Sequence, residues 1–361
     1  MKWVERVRVC VAAVVCAFAP SEMQSDFPRV PRGIELVYPR DHGAHPEFRT
    51  EWWYVTGQGE TAEGRVFGVQ FTIFRVALAP QSTANTRPKQ VYAGHLALAD
   101  VAGEQFLVAE RVRRDGSPLA RASQSDLDVV LEDWSIVRRA DGVIVITAGD
   151  TRAGVDVALE LAPTKPLVLH GERGWSNKGG EDNASAYASF TRLAMTGEVA
   201  IGGTKHALTG RAWFDQEFGS SVLGDGVVGW DWFGLHLDDG RDLMCFVLRR
   251  ADGTFDPASA ATLVAADGSV TTLASDAFTI ERSGAWKSPA SGATYPNRWR
   301  ITSASQNLDI ELSPRLAACE LSTRGSTGVT YWEGPVQIRG STTGSGYAEL
   351  TGYAGSMAGR L

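Results

Sequence analysis

The amino-acid sequence predicts an all-β protein, and three observations support that prediction. Apolar and polar residues alternate along many short runs, such as residues 155–161 (VDVALEL), as they do on strands, where successive side chains point to opposite faces. Turn signals such as Asp239-Gly240 and Asp252-Gly253 separate many of these runs. No stretch after the N-terminal apolar segment sustains a helical period over several turns. A chain of 361 residues is long enough for two domains.

Residues 1–24 have the features of an export signal. Lys2 begins a basic start, the apolar run Val9 to Ala19 follows, and Ala17-Phe18-Ala19 presents small residues where a signal peptidase cuts. The apolar run is too short for a spanning helix, which needs about 20 residues. We therefore expect an exported protein, periplasmic or secreted. The alternative is a lipoprotein attached through Cys16.

Charge and motifs exclude several classes of function. The formal net charge of −7, with no basic stripe among the aromatics, argues against a nucleic-acid partner. The sequence has no Gly-x-Ser-x-Gly elbow, no Walker loop, no Gly-x-Gly-x-x-Gly after a strand and no His-Glu-x-x-His. A hydrolase or hydratase built on this chain would therefore use carboxylate, His or Tyr acid/base chemistry.

Two antiparallel barrels are predicted, covering residues 25–195 and 196–361. Closing each half is the simplest way for a sheet protein of this size to hide its edges. The segments 50–75 and 229–250 share a plan of aromatic strand, polar Gly-Arg turn and apolar strand. This similarity indicates an internal duplication, with Trp53-Tyr54 aligned to Trp232-Phe233. The alternative is two unrelated hairpins that look alike.

The stretch EWWYVTGQ, residues 51–58, places three large aromatics beside a carboxylate. Alternation on a strand puts Trp52 and Tyr54 on one face, and Trp230 and Trp232 share a face in the same way. Clustered indoles indicate either a packed seam between domains or the wall of a cavity for an apolar ligand, and the sequence leaves both open.

Carboxylates beside aromatic residues are candidates for acid/base chemistry, because removal from water favours the protonated form. These candidates are Glu51, Asp215, Glu217, Asp231 and Glu333. Asp215 and Glu217 lie two residues apart in AWFDQEFG, so a strand would point them the same way. The alternative is a set of structural ion pairs, for which Arg75 and Arg192 are the predicted partners.

Histidines give no sign of a metal site, because no third ligand lies near His42 and His45 in the sequence. His45 and His170 are instead interpreted as polar groups near a cavity mouth, with structural histidines whose hydrogen bonds are satisfied as the default alternative. No cofactor is expected.

Several segments together resemble a known family. They are GAHPEFRTEWWYVTGQ, PTKPLVLHGERGWS, AWFDQEFGSS, GWDWFGLHLDDGRDLM, YWEGPV and GYAELTGY. In this order they are similar to the AttH-like, lipocalin-like family of predicted secreted hydrolases related to carotenoid 1,2-hydratases. The resemblance covers nearly all of the chain after the export signal. It implies two tandem lipocalin-like (calycin-type) barrels with an apolar cavity.

The resemblance also implies a chemistry. In the related hydratases an acid protonates a double bond, water captures the carbocation, and aromatic rings stabilise the charge. The Asp of their Phe-Asp-His-x-Trp-like segment falls on Asp215, beside Phe214. Their His and Trp fall on Gln216 and Phe218, and because Gln is neither acid nor base, the substrate need not be the same.

Two hypotheses follow for the function. The first is an exported enzyme that hydrates or hydrolyses an apolar lipid or isoprenoid-like substrate. The second is a carrier of such a ligand without turnover, associated with the components of an ABC transporter. The candidate catalytic residues are Asp215, Glu217, Glu51, Tyr187 and His45. The candidate ligand-binding residues are Trp52, Trp53, Tyr54, His170, Arg192, Trp230, Trp232, Tyr331, Trp332 and Glu333.

Overall fold

The protein is described by a computed structural model that covers residues 27–80, 90–115, 118–180, 183–220 and 223–358. Within these ranges the chain is all strands and turns, apart from two single-turn 3-10 helices, Arg40–His42 and Ala304–Gln306. The all-β prediction is confirmed. The described residues include no helix of a length and hydropathy suited to crossing a bilayer. The predicted export signal, with Cys16, lies outside the described residues.

The first sheet has 13 strands and curls into a nearly closed barrel. Eleven of them form one antiparallel path, in the order β4-β3-β2-β1-β13-β12-β9-β8-β7-β6-β5, with β10 and β11 beside β12. The strands are β1 Thr50–Glu60, β2 Val66–Ala77, β3 Gln90–Asp100, β4 Gln105–Arg114, β5 Ala120–Ala122, β6 Asp128–Leu131, β7 Trp134–Arg138, β8 Ile144–Asp150, β9 Val155–Pro163, β10 Val168–Leu169, β11 Trp175–Asn177, β12 Ala184–Ile201 and β13 Thr204–Gly219.

The second sheet has 10 strands and forms a half-barrel. Its path is β17-β16-β15-β14-β25-β24-β22-β21-β18, with β23 beside β24, and β19 and β20 form a separate small hairpin. The strands are β14 Val227–Leu237, β15 Asp242–Arg250, β16 Ala260–Val264, β17 Val270–Ala274, β18 Thr279–Ser283, β19 Trp286–Lys287, β20 Thr294–Tyr295, β21 Arg298–Ser303, β22 Leu308–Pro314, β23 Glu320–Ser322, β24 Thr330–Gly340 and β25 Gly344–Leu350.

The two sheets have the same order of strands. Each begins as a four-stranded meander, β1 to β4 or β14 to β17, whose first strand pairs with the last long strand of its own half, β13 or β25. The shared order supports the internal duplication. The predicted alignment of Trp53 with Trp232 is one residue out of phase, because Trp53 points into the first barrel and Trp232 lies between the sheets. Matching the faces of the strands aligns Trp232 with Trp52 or Tyr54, the residues on either side of Trp53.

The change from one sheet to the other comes after Gly219 and before Val227. The predicted join near residue 195 falls inside β12, which pairs with β13 from Ser185 to Ile201 apart from one bulge. The long β12–β13 hairpin therefore belongs to the first sheet. The turn Gly202-Gly203 inside this hairpin has the same kind of sequence signal as turns elsewhere in the chain. Turn signals alone therefore do not show where one sheet ends and the next begins.

The three largest apolar cores among the described residues result from the alternation of side chains. The first fills the interior of the first barrel, where Trp53, Phe67, Phe71 and Phe214 are fully buried. The second fills the half-barrel, around Phe233, Trp299 and Trp332. The third joins the outer faces of the two sheets and contains Tyr54, Tyr187, Trp213, Trp232, Met244, Phe246 and Tyr347. The aromatic residues of one strand thus serve both a barrel interior and the contact between sheets.

Each half has a buried ion pair near the start of its first hairpin. Glu51 Oε2 accepts a hydrogen bond from Arg75 Nε at 3.1 Å, and the Arg75 guanidinium also donates to the carbonyl of Phe48 at 3.0 Å. In the second half, Arg249 Nε donates to Asp231 Oδ1 at 2.8 Å. Because each charge has a partner, these pairs tie chain segments together without leaving an isolated ion in the core.

Removing one partner of the first pair should destabilise the fold strongly. Arg75→Met leaves the Glu51 carboxylate buried with less compensation, and losses of about 3–5 kcal/mol in the free energy of unfolding are typical of such changes. Urea unfolding followed by tryptophan fluorescence measures the effect. Arg300→Met, which removes an exposed partner of Asp309, is the control and should leave the midpoint nearly unchanged. Equal midpoints for the two variants would contradict a structural role for Arg75.

Candidate active site

A cavity of about 450 Å³ lies between the two sheets. Its wall is mostly aromatic and aliphatic, with side chains from the outer face of both barrels. The aromatic residues that border it are Trp52, Tyr54, Phe74, Tyr187, Trp230, Trp232, Phe246 and Tyr331. The volume is within the range of ligand-binding sites for small molecules. The sequence left open whether the aromatic strands form a packed seam or the wall of a cavity. The structure contains both, because the packed seam between the sheets encloses this cavity.

The register of the first sheet decides which of its residues border this cavity. One row across neighbouring strands runs His95, Thr72, Tyr54, Asp215 and Ser189. The next row on the same face is Ala93, Phe74, Trp52, Glu217 and Tyr187. Residues two apart on a strand share a face, so Asp215 and Glu217 point the same way, as the sequence predicts.

The second sheet presents a similar row of residues to the cavity. It runs Glu333, Glu349, Trp232 and Phe246 across β24, β25, β14 and β15. Glu349 stands opposite Trp232, as Asp215 stands opposite Tyr54 and Glu217 opposite Trp52 in the first sheet. Each wall therefore has carboxyl groups beside aromatic residues of the neighbouring strand.

Asp215 is almost completely buried and accepts hydrogen bonds from three side chains. Its Oδ2 accepts from the Tyr187 hydroxyl at 2.7 Å, and its Oδ1 accepts from Trp213 Nε1 at 2.5 Å and from the Ser189 hydroxyl. The Tyr187 hydroxyl in turn accepts from Trp232 Nε1 at 3.1 Å. Through this contact the acid of the first sheet is connected to an indole of the second.

Burial raises the pKa of Asp215 to about 7, against the effect of its three hydrogen-bond donors. Near neutral pH the carboxyl group therefore exists in both protonation states, as a general acid requires. Tyr187 shares the cavity wall and contacts the carboxyl directly, so its hydroxyl can pass a proton between Asp215 and a bound molecule.

His170 lies behind this wall, although the sequence predicts it at a cavity mouth. Its Nε2 is 2.7 Å from the Ser189 hydroxyl and its Nδ1 is 3.0 Å from the Thr262 hydroxyl. Burial lowers the pKa of His170 to about 3, so the imidazole is neutral. It orients Ser189 and with it Asp215, and it does not border the cavity.

Two carboxyl groups face the cavity from the second sheet. Glu333, on the wall as predicted, accepts a hydrogen bond from the Tyr54 hydroxyl, and Glu349 is its direct cross-strand neighbour. Burial raises the pKa of both, that of Glu349 to about 8, and the nearby Glu349 charge raises that of Glu333 further. Two adjacent carboxyl groups in such surroundings cannot both be ionised without cost, so the pair retains a proton near neutrality.

Glu217 borders the cavity but has a counter-charge. Lys178 Nζ lies 2.8 Å from its Oε1, and the Ser185 hydroxyl donates to the same oxygen. The Lys178 ammonium also lies over the rings of Phe246 and Tyr187, at 4.5 and 5.0 Å from their centroids. These contacts hold Glu217 in a salt bridge, so it supports the wall of the cavity.

Glu51 and His45 form a structural cluster at the edge of the cavity. His45 Nδ1 lies 2.8 Å from Glu51 Oε1. The other oxygen of this carboxylate, Oε2, accepts the hydrogen bond from Arg75. Gln216 Nε2 donates to the carbonyl of Gly43 at 2.9 Å and lies 3.2 Å from Glu51 Oε1, while the ring of Phe218 stacks on His45 at 3.6 Å. Both oxygens of Glu51 are thus occupied. Gln216 and Phe218, which replace the His and Trp of the related hydratases, lie on the face of β13 opposite Asp215.

Three more predicted ligand-binding residues lie away from the cavity. Trp53 and Trp332 belong to the two barrel cores, where their indole N–H groups donate to the carbonyls of His42 and Ala317. Arg192 Nε donates to Asp242 at 2.8 Å, so it forms an ion pair, but with an acid outside the set of candidate carboxylates. By contrast Trp52, Tyr54, Trp230, Trp232 and Tyr331 do border it, and Tyr331 is held by His95 Nδ1 at 2.9 Å from its hydroxyl.

The sequence alone does not single out Glu349, Ser189, Lys178 or His95. Glu349 stands between Ala348 and Leu350 in GYAELTGY, where one carboxylate gives no sign of burial. The duplication is the one signal that could have found it, because in each half the last long strand carries a carboxylate opposite an aromatic residue of the first strand. Ser189 and Lys178 depend on contacts between distant segments. Within the described ranges, no group of three or more His, Cys, Asp or Glu side chains is placed to hold a metal ion.

Replacing Asp215 by Asn should stabilise the protein at alkaline pH. A carboxyl group whose pKa is raised on folding binds more protons in the native state, so stability falls as pH rises from about 4 to about 7. Asp215→Asn removes this loss and should add up to roughly 4 kcal/mol at pH 8 and much less at pH 5. Thermal unfolding across this pH range measures it, with the exposed Asp309→Asn as the control. A variant that is less stable at pH 8 than the wild type would show that Asp215 is held ionised.

Comparisons with known proteins agree with this architecture. The AttH-like family model matches residues 29–353. A crystal structure of a protein designated AttH from Nitrosomonas europaea is 36% identical, with 90% of this chain and 99% of that chain covered and a TM-score of 0.81. The crystal structure of kievitone hydratase from Nectria haematococca is 15% identical, with 94% of this chain and 98% of that chain covered and a TM-score of 0.67. At this identity the similarity is one of fold.

A comparison with curated protein sequences finds no match. The family model spans both barrels and includes every residue of the cavity wall named above. It begins after the predicted export segment. The fold is that of two lipocalin-like barrels, as the sequence resemblance implies. This chain belongs to the AttH-like family.

Proposed function

We propose that this protein is a hydratase-type enzyme that adds water to a carbon–carbon double bond of an apolar isoprenoid-like or lipid molecule. Asp215 supplies the proton. The observation that supports this most is a buried carboxyl group on the wall of an aromatic cavity, with a pKa of about 7 because of its burial. Such a group is both able to hold a proton at neutral pH and strong enough to release it.

The aromatic wall suits the intermediate of this reaction. Protonation of an isolated alkene produces a carbocation, which the faces of electron-rich rings stabilise. Trp52, Trp230 and Trp232 border the same cavity as Asp215, and Tyr54 packs edge-on against Trp232 at 5.4 Å between ring centroids. The wall thus offers a proton donor and cation-stabilising rings in one enclosed space, where weak electrostatic interactions are stronger than in water.

Hydrolysis by a serine nucleophile fits this site less well. Ser189 contacts both His170 and Asp215, but its hydroxyl donates to the carboxyl group and is not activated by a His–Asp pair. The side chain is also fully buried behind the cavity wall. A nucleophile needs access to the substrate, so the Ser-His-Asp geometry of serine hydrolases is not reproduced here. The similarity of fold to kievitone hydratase, a protein named for hydration, also favours addition of water.

The cellular setting follows the expectations from the N-terminal sequence. We place the enzyme outside the cytoplasm, where its apolar substrate would be delivered by, or handed to, components of an ABC transporter. A carrier without turnover is the competing function, and the large aromatic cavity favours it equally. What separates the two is the chemistry at Asp215.

Asp215→Asn should abolish turnover while leaving binding intact. Geranylgeraniol and oleic acid, an isoprenoid and a lipid with isolated double bonds, are incubated with the mature protein, and mass spectrometry detects the gain of one water molecule. Loss of the acid should lower the rate at least about 100-fold. The exposed Asp238→Asn is the matched control and should keep the wild-type rate. Ligand bound equally by all three proteins, with no product from any, would make the protein a carrier.

The rate should depend on pH in a defined direction. Because Asp215 must be protonated to act, the rate of hydration should fall as pH rises through about 7 and level off below it. Initial rates measured between pH 5 and 9, in buffers of constant ionic strength, test this dependence. A rate that increases with pH over this range would exclude Asp215 as the acid.

A further inference from the structure

The carboxyl pair Glu333–Glu349 has no role in the function proposed above. Both residues border the cavity from the second sheet, and they are direct neighbours across β24 and β25. Asp215 borders it from the first sheet, opposite Tyr54. The cavity therefore has an acid on one wall and a pair of acids on the other, with the aromatic rings between them.

One oxygen of this pair lacks a partner. Glu333 is 1% exposed, and its Oε1 accepts from the Tyr54 hydroxyl. Its Oε2 is buried and has no hydrogen-bond partner among the described residues. A buried carboxyl oxygen without a partner is costly, and in native proteins it indicates a bound water molecule or ligand.

Like Asp215, the pair has no counter-charge, whereas other buried acids do. Glu51 is matched by Arg75, Glu217 by Lys178 and Asp242 by Lys165 and Arg192. Within the described part of the chain, no salt bridge involves Glu333 or Glu349. Two adjacent carboxyl groups that keep their protons offer both O–H donors and acceptor oxygens, which is the combination that holds a water molecule and relays a proton from it.

We propose that the Glu333–Glu349 pair holds the water molecule that captures the carbocation, so that proton and water reach the double bond from opposite walls. This inference rests on the proposed hydratase function and adds a general base and a stereochemistry to it. The two walls stand on either side of the bound alkene, and the product is therefore the alcohol of anti addition.

The steps balance in atoms and charge. The π electrons of the alkene form a C–H bond with the proton of Asp215, which leaves a carboxylate and a carbocation. A lone pair of the water oxygen forms the C–O bond, and the proton that this oxygen loses passes to an oxygen of the glutamate pair, which at the same time releases one of its own protons toward solvent. Asp215 takes up a proton from solvent before the next turnover. The sum is alkene plus water to alcohol.

Deuterium labelling separates the two half-reactions. Geranylgeraniol, and oleic acid in parallel, are incubated in heavy water with the wild type, Glu333→Gln, Glu349→Gln and Asp215→Asn. Recovered alkene is analysed for deuterium, and alcohol for amount and relative configuration. In Glu333→Gln and Glu349→Gln the carbocation still forms but returns to alkene by losing a hydrogen from a neighbouring carbon to the Asp215 carboxylate, so alcohol should fall at least about 100-fold while total deuterium incorporation stays within about threefold of the wild type.

The other proteins provide the comparison. Asp215→Asn should incorporate no deuterium and form no alcohol, because the first step is lost. Glu320→Gln is the matched control, a half-buried glutamate of the second sheet bonded to Tyr295 and Ser288 away from the cavity, and should behave as the wild type. The wild-type alcohol should carry deuterium and hydroxyl on opposite faces.

Three results would overturn the inference. A parallel loss of deuterium and alcohol in the glutamate variants would indicate a purely structural role for the pair. Alcohol formed at the wild-type rate by both variants, or a product of syn addition, would place the water elsewhere while leaving Asp215 as the acid. A wild type that neither deuterates nor hydrates either compound would instead refute the hydratase function, and the inference with it.

Discussion

Removal of carboxyl groups from water, in the space between two packed sheets, is the interaction on which the rest of this structure depends. An ionised carboxylate is costly there unless a cation or several donors compensate it. Asp215, Glu333 and Glu349 avoid this cost by keeping protons near neutral pH. Their proton affinity, and so their chemistry, is therefore a property of the cavity. The same groups on an exposed strand would be ordinary carboxylates.

The presence or absence of a counter-charge separates structural acids from functional ones. The Glu51–Arg75 and Asp231–Arg249 pairs hold the hairpins of the two barrels, and both acids are fully buried. Neither has an oxygen available for a ligand, since Tyr353 and Arg282 also approach Asp231. Of the acids that border the cavity, Asp215, Glu333 and Glu349 have no basic partner, and burial raises the pKa of all three. Burial alone would not have distinguished the two groups.

Much of the fold could be predicted from the chain. Alternation along the strands identifies the all-β class, and it correctly places Trp52 with Tyr54 and Asp215 with Glu217 on shared faces. The domain boundary could not be predicted, because β12 and β13 form a hairpin whose turn resembles the others. Glu349 was missed for a similar reason, since its importance comes from a cross-strand neighbour that lies 16 residues earlier in the sequence at Glu333.

By itself, the sequence determined which residues share a face of a strand, because side-chain alternation is a local property of extended backbone. It also carried the family resemblance, and it identified Asp215 as a candidate acid. Only the tertiary structure decided which face meets water, which meets a barrel core and which meets the cavity. Trp53 and Trp52 are adjacent and chemically identical, yet one lies in the first core and the other on the cavity wall. The reason is that burial and pKa depend on strands brought together from distant parts of the chain.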